Sequence, residues 1–247
     1  MTPGGWQRQR LGGGEACSRA VTKNLLTKGL VAEVGTKARD SQSYGEPQSS
    51  GQGLPFGSLS QACDRLPAMT EIGPVAWPPA PIRTERLVLR ETEARDRAVF
   101  IELLASPEVH TYLGGPRPRD ELEREMPVVP ERWPGSFVVD LDGAMIGQIL
   151  LRRATEHRRP AAVGKADLGY LFLPRAWGSG YAAEACAAAL GWFDGVLPGE
   201  PVVLTTQTAN VGSMRLAAKL GFTEVERFQA WDAEQWLGLR SPVEPFT

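Results

Sequence analysis

The stretch "LGYLFLPRAWGSGYAAEACAAALGWF", residues 168–193, decides how this chain is read. An apolar, strand-like run stops at Pro174, crosses Gly178 and Gly180, and enters a long alanine-rich segment of high helix propensity. A bare glycine turn at the mouth of a helix has three readings. In the first, small residues let the helix pack closely and no ligand is involved. In the second, Gly178, Gly180 and Ala183 fit the G-x-G-x-x-G/A dinucleotide pattern. That fingerprint needs a carboxylate about 20 residues further on, closing the next strand to hold a ribose. Here the following strand, "PVVLTTQT", ends in Thr and Gln, and too little chain remains for repeated parallel units. A nucleoside-triphosphate loop is also excluded, because no Lys-Ser/Thr pair follows the glycines. In the third, unpaired N–H groups and the positive end of the helix dipole capture a diphosphate without a lysine. Glycines at 178 and 180 let the backbone come close, and the preceding strand can accept an extended ligand arm. Coenzyme A, with an amide-bearing pantetheine and an anionic diphosphate, suits that combination.

From Ile82 onward the chain is patterned throughout. "RLVLRE" alternates as a strand with Leu87 and Leu89 on one face, and "TEARDRAVFIELLAS" reads as a helix with Ala98, Ile101, Leu104 and Ala105 inward. "RDELEREM" is a short charged helix ended before Pro127. "GSFVVDLDGAMIGQILLRR" is a hairpin turning at Asp142-Gly143, a pair favoured by tight primed turns. "ADLGYLFL" is a strand, followed by a helix over about Gly180 to Phe193. "EPVVLTTQT" is another strand, "SMRLAAKLGF" a helix closed by Gly221, and the tail holds two more short strands. The order β-α-α-β-β-β-α-β-α-β-β describes one mixed α/β domain of roughly 165 residues, enough to bury its own core.

Residues 1–80 differ. "GGWQRQRLGGGE", "RDSQSYGEPQSSGQGLPFGS" and "GPVAWPPAPI" are rich in Gly, Ser, Gln and Pro and offer too little apolar surface to offset the entropy of ordering. They are expected to form a disordered N-terminal extension, with the folded domain spanning 81–247. A helix over Ala20–Val34 would have no core around it, and Met69 opens a stretch that would serve as a natural start for the folded part.

The 247 residues are 42% hydrophobic and 23% charged, with 27 Lys+Arg against 29 Asp+Glu and a formal net charge of -2. This balance gives no electrostatic case for nucleic acid or an anionic membrane as the main partner. Cys17, Cys63 and Cys186 are too few and scattered for a disulfide framework or a zinc site, and Cys186 reads as a small buried thiol. His110 and His157 have no ligand-spaced partner and read as surface or loop residues, so no metal is expected. No apolar run approaches the 18 or so residues of a membrane span. The N-terminus lacks the apolar core of a secretory signal. A reduced, cytoplasmic protein is the expectation.

Four segments together resemble the GNAT acetyltransferase superfamily, and within it the ribosomal-protein N-acetyltransferase (Rim-type) branch. They are "TERLVLRETEARD", "SPEVHTYLGG", "GYLFLPRAWGSGYAAEA" and "TANVGSMRLAAKLGF", in the family's order across about residues 82–240. The resemblance implies a mixed α/β fold with a mostly antiparallel twisted sheet, a central splay and helices on both faces. It implies acetyl-CoA as cosubstrate, and the family's Gln/Arg-x-x-Gly-x-Gly/Ala motif aligns Gly180-Tyr181-Ala182 with Gly-x-Gly/Ala. Trp177 then stands at the Gln/Arg position, as is usual for this branch, and Arg175 lies outside the motif within reach of a coenzyme phosphate. Backbone amides around Gly178, Ser179, Gly180, Tyr181 and Ala182 would hold the diphosphate. Asn210 and Ser213 are implied to contact coenzyme or its bound water. Each also has a plain structural role, Asn210 in a turn and Ser213 capping a helix start.

Acetyl transfer from a thioester to an amine needs a neutral amine, a polarised carbonyl and a proton for the leaving thiolate. The resemblance places the polarising backbone N–H groups on the strand containing Phe172 and Leu173, as an oxyanion-type contact. Asp167 stands where relatives often carry an acidic residue near the amine; it reads either as a base acting through water or as a solvated carboxylate at a strand start. Relatives place a thiolate-protonating tyrosine where this chain has Ala217, which leaves that role to water, to Ser213 or to nothing. Tyr112, the "LGGPRPRD" loop, Trp133 and "FQAWDAEQW" are expected to line the acceptor cleft, although Trp231 and Trp236 equally suit the core or a homodimer contact. The acceptor is an amine of a small molecule or of a protein N-terminus. A non-catalytic acyl-CoA-binding module and a domain without ligand stand as alternatives.

Overall fold

The structure, a computed structural model, describes residues 72, 73, 75–153 and 159–242. The expectations for the arm up to residue 71 and for His157 fall outside these residues. Eight strands form one sheet: β1 (Ile82–Arg83), β2 (Val88–Arg90), β3 (Ser136–Leu141), β4 (Ala144–Arg153), β5 (Ala166–Phe172), β6 (Val202–Gln207), β7 (Thr223–Ala230) and β8 (Ala233–Arg240), in the order β1-β2-β3-β4-β5-β6-β8-β7. Helices α1 (Arg97–Ala105), α2 (Arg119–Glu125), α3 (Tyr181–Val196) and α4 (Val211–Lys219) connect them. Every strand pair is antiparallel except β5 with β6. That parallel pair registers only at Ala166↔Val202 and Asp167↔Val203. Beyond Asp167 the two central strands part, which is the splay the sequence led us to expect.

Local chemistry explains the elements. The β3–β4 hairpin turns at Asp142-Gly143, both with positive φ (53° and 86°), as a primed two-residue turn requires. The β7–β8 hairpin uses Trp231 and Asp232 at φ 54° and 56°, a turn that no glycine announces in the sequence. Helix α3 buries Ala185, Cys186, Ala189, Leu190 and Phe193. Their mostly small side chains let it lie close against Phe137, Ile149, Leu151 and Leu168 of the sheet. The opposite face is covered by α1 and α2, where Phe100, Ile101, Leu103, Leu104 and Leu122 meet Val138, Met145, Leu171 and Leu173. The inner side of α1 therefore runs through Phe100 and Leu103, and Ala98 faces solvent, because three residues at the start of the expected helix form a 3-10 turn (Ala94–Asp96) and rotate the α-helical turns after it.

The fold reaches back past the boundary expected at residue 81. Ile72 is fully buried. Trp77 packs edge-on against Phe137 and Trp192, with ring centroids 5.1 and 5.9 Å apart, and donates its indole N–H to Glu91 Oε1 at 3.1 Å. A proline-rich composition hid an aromatic anchor that a partner helix makes worth burying. Among the described residues no helix is long and apolar enough to cross a membrane.

Candidate active site

The splay between β5 and β6, the first turn of α3 and the start of α4 open onto one cavity of about 790 Å³. Gly178 and Gly180 take φ of +77° and +80°, the left-handed region that glycine enters without cost. This turns the chain from the end of β5 into α3. Gly180 is the N-cap of α3 and no side chain caps it. The first helical hydrogen bond runs from the Glu184 N–H to the Gly180 carbonyl at 3.2 Å. The N–H groups of Tyr181, Ala182 and Ala183 are thus left without helical partners, on residues that line the cavity.

A carboxylate one turn into α3 would repel an anion bound there, but Glu184 is neutralised in place. Its Oε1 accepts from Thr84 Oγ1 at 2.6 Å and from the Arg86 N–H at 2.9 Å, and its Oε2 accepts from Arg86 Nε at 2.8 Å. Together with the Arg86 charge these bonds hold the Glu184 carboxyl below the usual range, against the opposing effect of desolvation. Arg86 also donates to the Ser179 carbonyl at 3.0 Å and lies over the Tyr181 ring, 4.6 Å from its centroid. One arginine thus braces the glycine turn from outside. Sequence reasoning missed it, because 98 residues separate the partners; an acidic residue in the first turn of a glycine-entered helix was the signal that could have pointed to a counter-charge.

The other residues singled out from the sequence fall on both sides of the cavity wall. Trp177 lines it and ties its indole N–H to the Phe172 carbonyl at 2.8 Å. The Leu173 N–H is already donated to the Ile146 carbonyl at 3.0 Å, and the Leu173 side chain is buried under α1 and α2. By the alternation of a strand, the N–H groups of Phe172 and Tyr170 point the other way, into the splay. Of the expected pair, Phe172 is the one whose N–H faces the splay. Arg175 does not line the cavity; it is exposed and paired with Glu102 of α1, Nη1 to Oε1 at 2.5 Å. Ser179 contributes its carbonyl to Arg86 and no surface to the cavity.

Asn210, not Ser213, caps α4: its Oδ1 accepts from the Ser213 N–H at 3.1 Å. The Ser213 hydroxyl is instead hydrogen-bonded to the Tyr170 phenol, which reaches from β5 to α4. Arg215 and Lys219, one helical turn apart on α4, also line the cavity without an ion pair to another described residue, a pair of cations that i, i+4 spacing could have revealed.

Asp167 is a buried cavity residue rather than a solvated strand end. It stands directly opposite Arg152 in the β4–β5 ladder, with Arg152 Nε 3.6 Å from its Oδ2. Tyr112, Thr205, Gln207, Trp231 and Gln235 line the same cavity, and Gln207 Nε2 donates to the Tyr112 carbonyl at 3.2 Å. Trp231 is a rim residue, whereas Trp133 and Trp236 belong to the core. His110 lies in the loop after α1 but is buried, and among the described residues neither ring nitrogen has a partner within hydrogen-bonding geometry. Among the described residues no group of three or more His, Cys, Asp or Glu is placed to hold a metal ion.

Comparison with known proteins fits this layout. The chain is 28% identical over 153 residues to the uncharacterized protein YkkB of Bacillus subtilis (strain 168), covering 60% of this chain and 88% of that one. A GNAT-family acetyltransferase from Bacillus anthracis superposes with a TM-score of 0.54 at 21% identity, over 65% of this chain and 98% of that one. The aminoglycoside acetyltransferase AAC(6')-Ib, solved with coenzyme A, superposes with a TM-score of 0.51 at 15% identity, over 63% and 94%. Residues 86–223, from the arginine that braces the glycine turn to the strand after α4, match the model of the acetyltransferase (GNAT) domain. The chain therefore belongs to the GNAT family of acetyl-CoA-dependent acetyltransferases.

Proposed function

We propose that this chain is an N-acetyltransferase that moves an acetyl group from acetyl-CoA to a primary amine within a ternary complex. The observation that supports it most is the cavity joining the open N-terminus of α3, the splay and the buried carboxylate of Asp167. The N–H groups of Tyr181, Ala182 and Ala183 bind the diphosphate. Arg215 and Lys219 supply the positive charge that the glycine turn lacks. The Phe172 N–H, directed into the gap, polarises the thioester carbonyl. Asp167 accepts the amine proton through water, and Arg152 fixes the orientation of its carboxylate. Acetyl-CoA supplies the activated acyl group, and positioning in the cleft does much of the rest.

The acceptor cleft carries both charges and a rim tryptophan, which suits a small-molecule amine or a peptide N-terminus. The fold shared with an aminoglycoside acetyltransferase supports an amine acceptor, and the four Rim-type segments favour a protein N-terminus. Residues 81–247, with Ile72 and Trp77 added by packing, form the catalytic domain in this reading, and residues 1–80 an extension to it. A coenzyme-binding module without turnover is the competing reading, favoured by the engagement of Asp167 with Arg152. Incubation with acetyl-CoA and a panel of amines and N-terminal peptides, scored by the mass of one added acetyl group, tests the choice. Acetylation of at least one amine is expected; tight acetyl-CoA binding with no transfer to any would establish the competing reading instead.

A further inference from the structure

Ala217 occupies the place from which relatives were expected to protonate the leaving thiolate, and it is fully buried against the sheet. Ser213 lies one turn earlier on the same face of α4 and lines the cavity. Its hydroxyl has one conspicuous partner, the phenol of Tyr170. Tyr170 points from β5 across the gap where β6 has already diverged, so the Tyr170–Ser213 bond links β5 to α4 at the splay itself. What tyrosine adds here over phenylalanine is a hydroxyl, and Ser213 is its hydrogen-bond partner.

We infer that Tyr170 is a positioning residue for the departing thiolate: it donates its phenolic proton to Ser213 Oγ and so obliges the serine hydroxyl to donate onward, to the coenzyme sulfur. The inference rests on the acetyltransferase reading. In the reaction the amine lone pair forms the C–N bond, the C–S bond breaks with its electron pair left on sulfur, and the amine proton departs through water to Asp167. No proton is transferred outright along the chain from Tyr170. The hydrogen-bond chain stabilises sulfur while it is negative, and solvent supplies the proton that completes free coenzyme A. A phenol suits this because it must stay a donor. Burial pushes the Tyr170 phenol well above the ordinary tyrosine range, with the bond to Ser213 opposing it, so Tyr170 stays neutral wherever the protein works. A serine that accepts from the neutral phenol keeps its own proton free to aim, and in this inference it aims it at sulfur.

The test titrates coenzyme A bound to the wild-type chain, to Tyr170→Phe, to Ser213→Ala and to the double variant, following thiolate ultraviolet absorbance against pH. A hydrogen bond to the charged form favours it, so the wild type should make the bound thiol about tenfold more acidic than either single variant does. The double variant should match Ser213→Ala, since Tyr170 acts through that hydroxyl. Turnover with an amine accepted by the wild type should fall by a similar factor in kcat, with KM for acetyl-CoA within about twofold. Should Tyr170→Phe fold poorly, Ser213→Ala alone still decides whether the serine touches sulfur, and 3-fluorotyrosine at 170 should make the bound thiol more acidic still. Coenzyme binding with a thiol titration indifferent to both substitutions, or effects that simply multiply in the double variant, would overturn the inference alone. A wild-type chain that binds no coenzyme A would overturn the acetyltransferase reading and take this one with it.

Discussion

The two halves of the cavity are built from different materials. The half proposed to hold coenzyme is made of backbone: two glycines at positive φ, three N–H groups without helical partners, and strand amides facing a gap. The half proposed to hold the acceptor is made of side chains that meet only after folding: Arg152 with Asp167, Gln207 with Tyr112, and Trp231 at a turn that the sequence does not mark. A backbone site tolerates change in most of its side chains and is intolerant of change at its glycines. A side-chain site is the reverse, and its charges are coupled to the stability of the sheet beneath it.

That contrast can be broken most forcefully at Asp167. Asp167→Asn removes the carboxylate opposite the buried guanidinium of Arg152, and removing one partner of a buried pair costs up to about 3–5 kcal/mol. Denaturant unfolding should show a loss of that order, kcat should drop, and the affinity for acetyl-CoA of the folded fraction should be unchanged. Turnover unaffected near neutral pH would strike Asp167 from the chemistry and leave it a structural ion pair.

The coenzyme half should respond in the opposite sense. Gly180→Ala forces a Cβ into left-handed backbone at a cost of about 1–2 kcal/mol. The added Cβ meets nothing nearer than Arg86 Nη2 at 3.6 Å, so the cost falls on the conformation of the turn rather than on a clash. Calorimetry should show weaker coenzyme binding, by about tenfold or more, with kcat for bound substrate changed little. Arg86→Ala is milder still. Arg86 is partly exposed, and ion pairs of that kind contribute little to stability. What it should change is the charge felt at the mouth of α3, because Glu184 is then unopposed beside the diphosphate. A severalfold rise in KM for acetyl-CoA with an unchanged melting temperature would separate this electrostatic role from a scaffolding one.

These differences also explain what could be read from the chain. The helix–strand order, the Asp142-Gly143 hairpin and the glycine turn depend on propensity and local spacing, so they are legible within a window of ten or twenty residues. Leu173 was misplaced by a single residue, because alternation along β5 fixes which N–H faces the splay only once the ladder with β4 is known. Arg86 and Tyr170 were passed over because each acquires its meaning from a partner far along the chain, Glu184 and Ser213, and Arg152 because only the β4–β5 register sets it opposite Asp167. Composition misjudged the segment just before residue 81 for the same reason. Trp77 looks like part of a proline-rich tail until Phe137 and Trp192 are set beside it.

The smallest expected effect is the one that best distinguishes the two halves by pH. His110 sits beneath the loop of Glu108–Gly114 that walls the acceptor side, with its own N–H bonded to the Ser106 carbonyl at 3.2 Å. Burial lowers its proton affinity below the ordinary histidine value, and the nearby backbone of Leu103 and Gly115 only partly offsets that. The folded chain therefore disfavours a proton that the unfolded chain accepts at about pH 6.5. Its stabilising share is complete above that pH and is lost progressively as pH falls from there toward the depressed folded value. Melting temperature measured at neutral and mildly acidic pH should decline for the wild type, and the slope should be shallower in His110→Phe. Acetyl-CoA affinity, which depends on the backbone half, should be the same in both proteins across this range. An acid-induced loss of coenzyme binding that His110→Phe abolishes would mean that the loop and the glycine turn are coupled, and that the two halves do not behave as separate constructions.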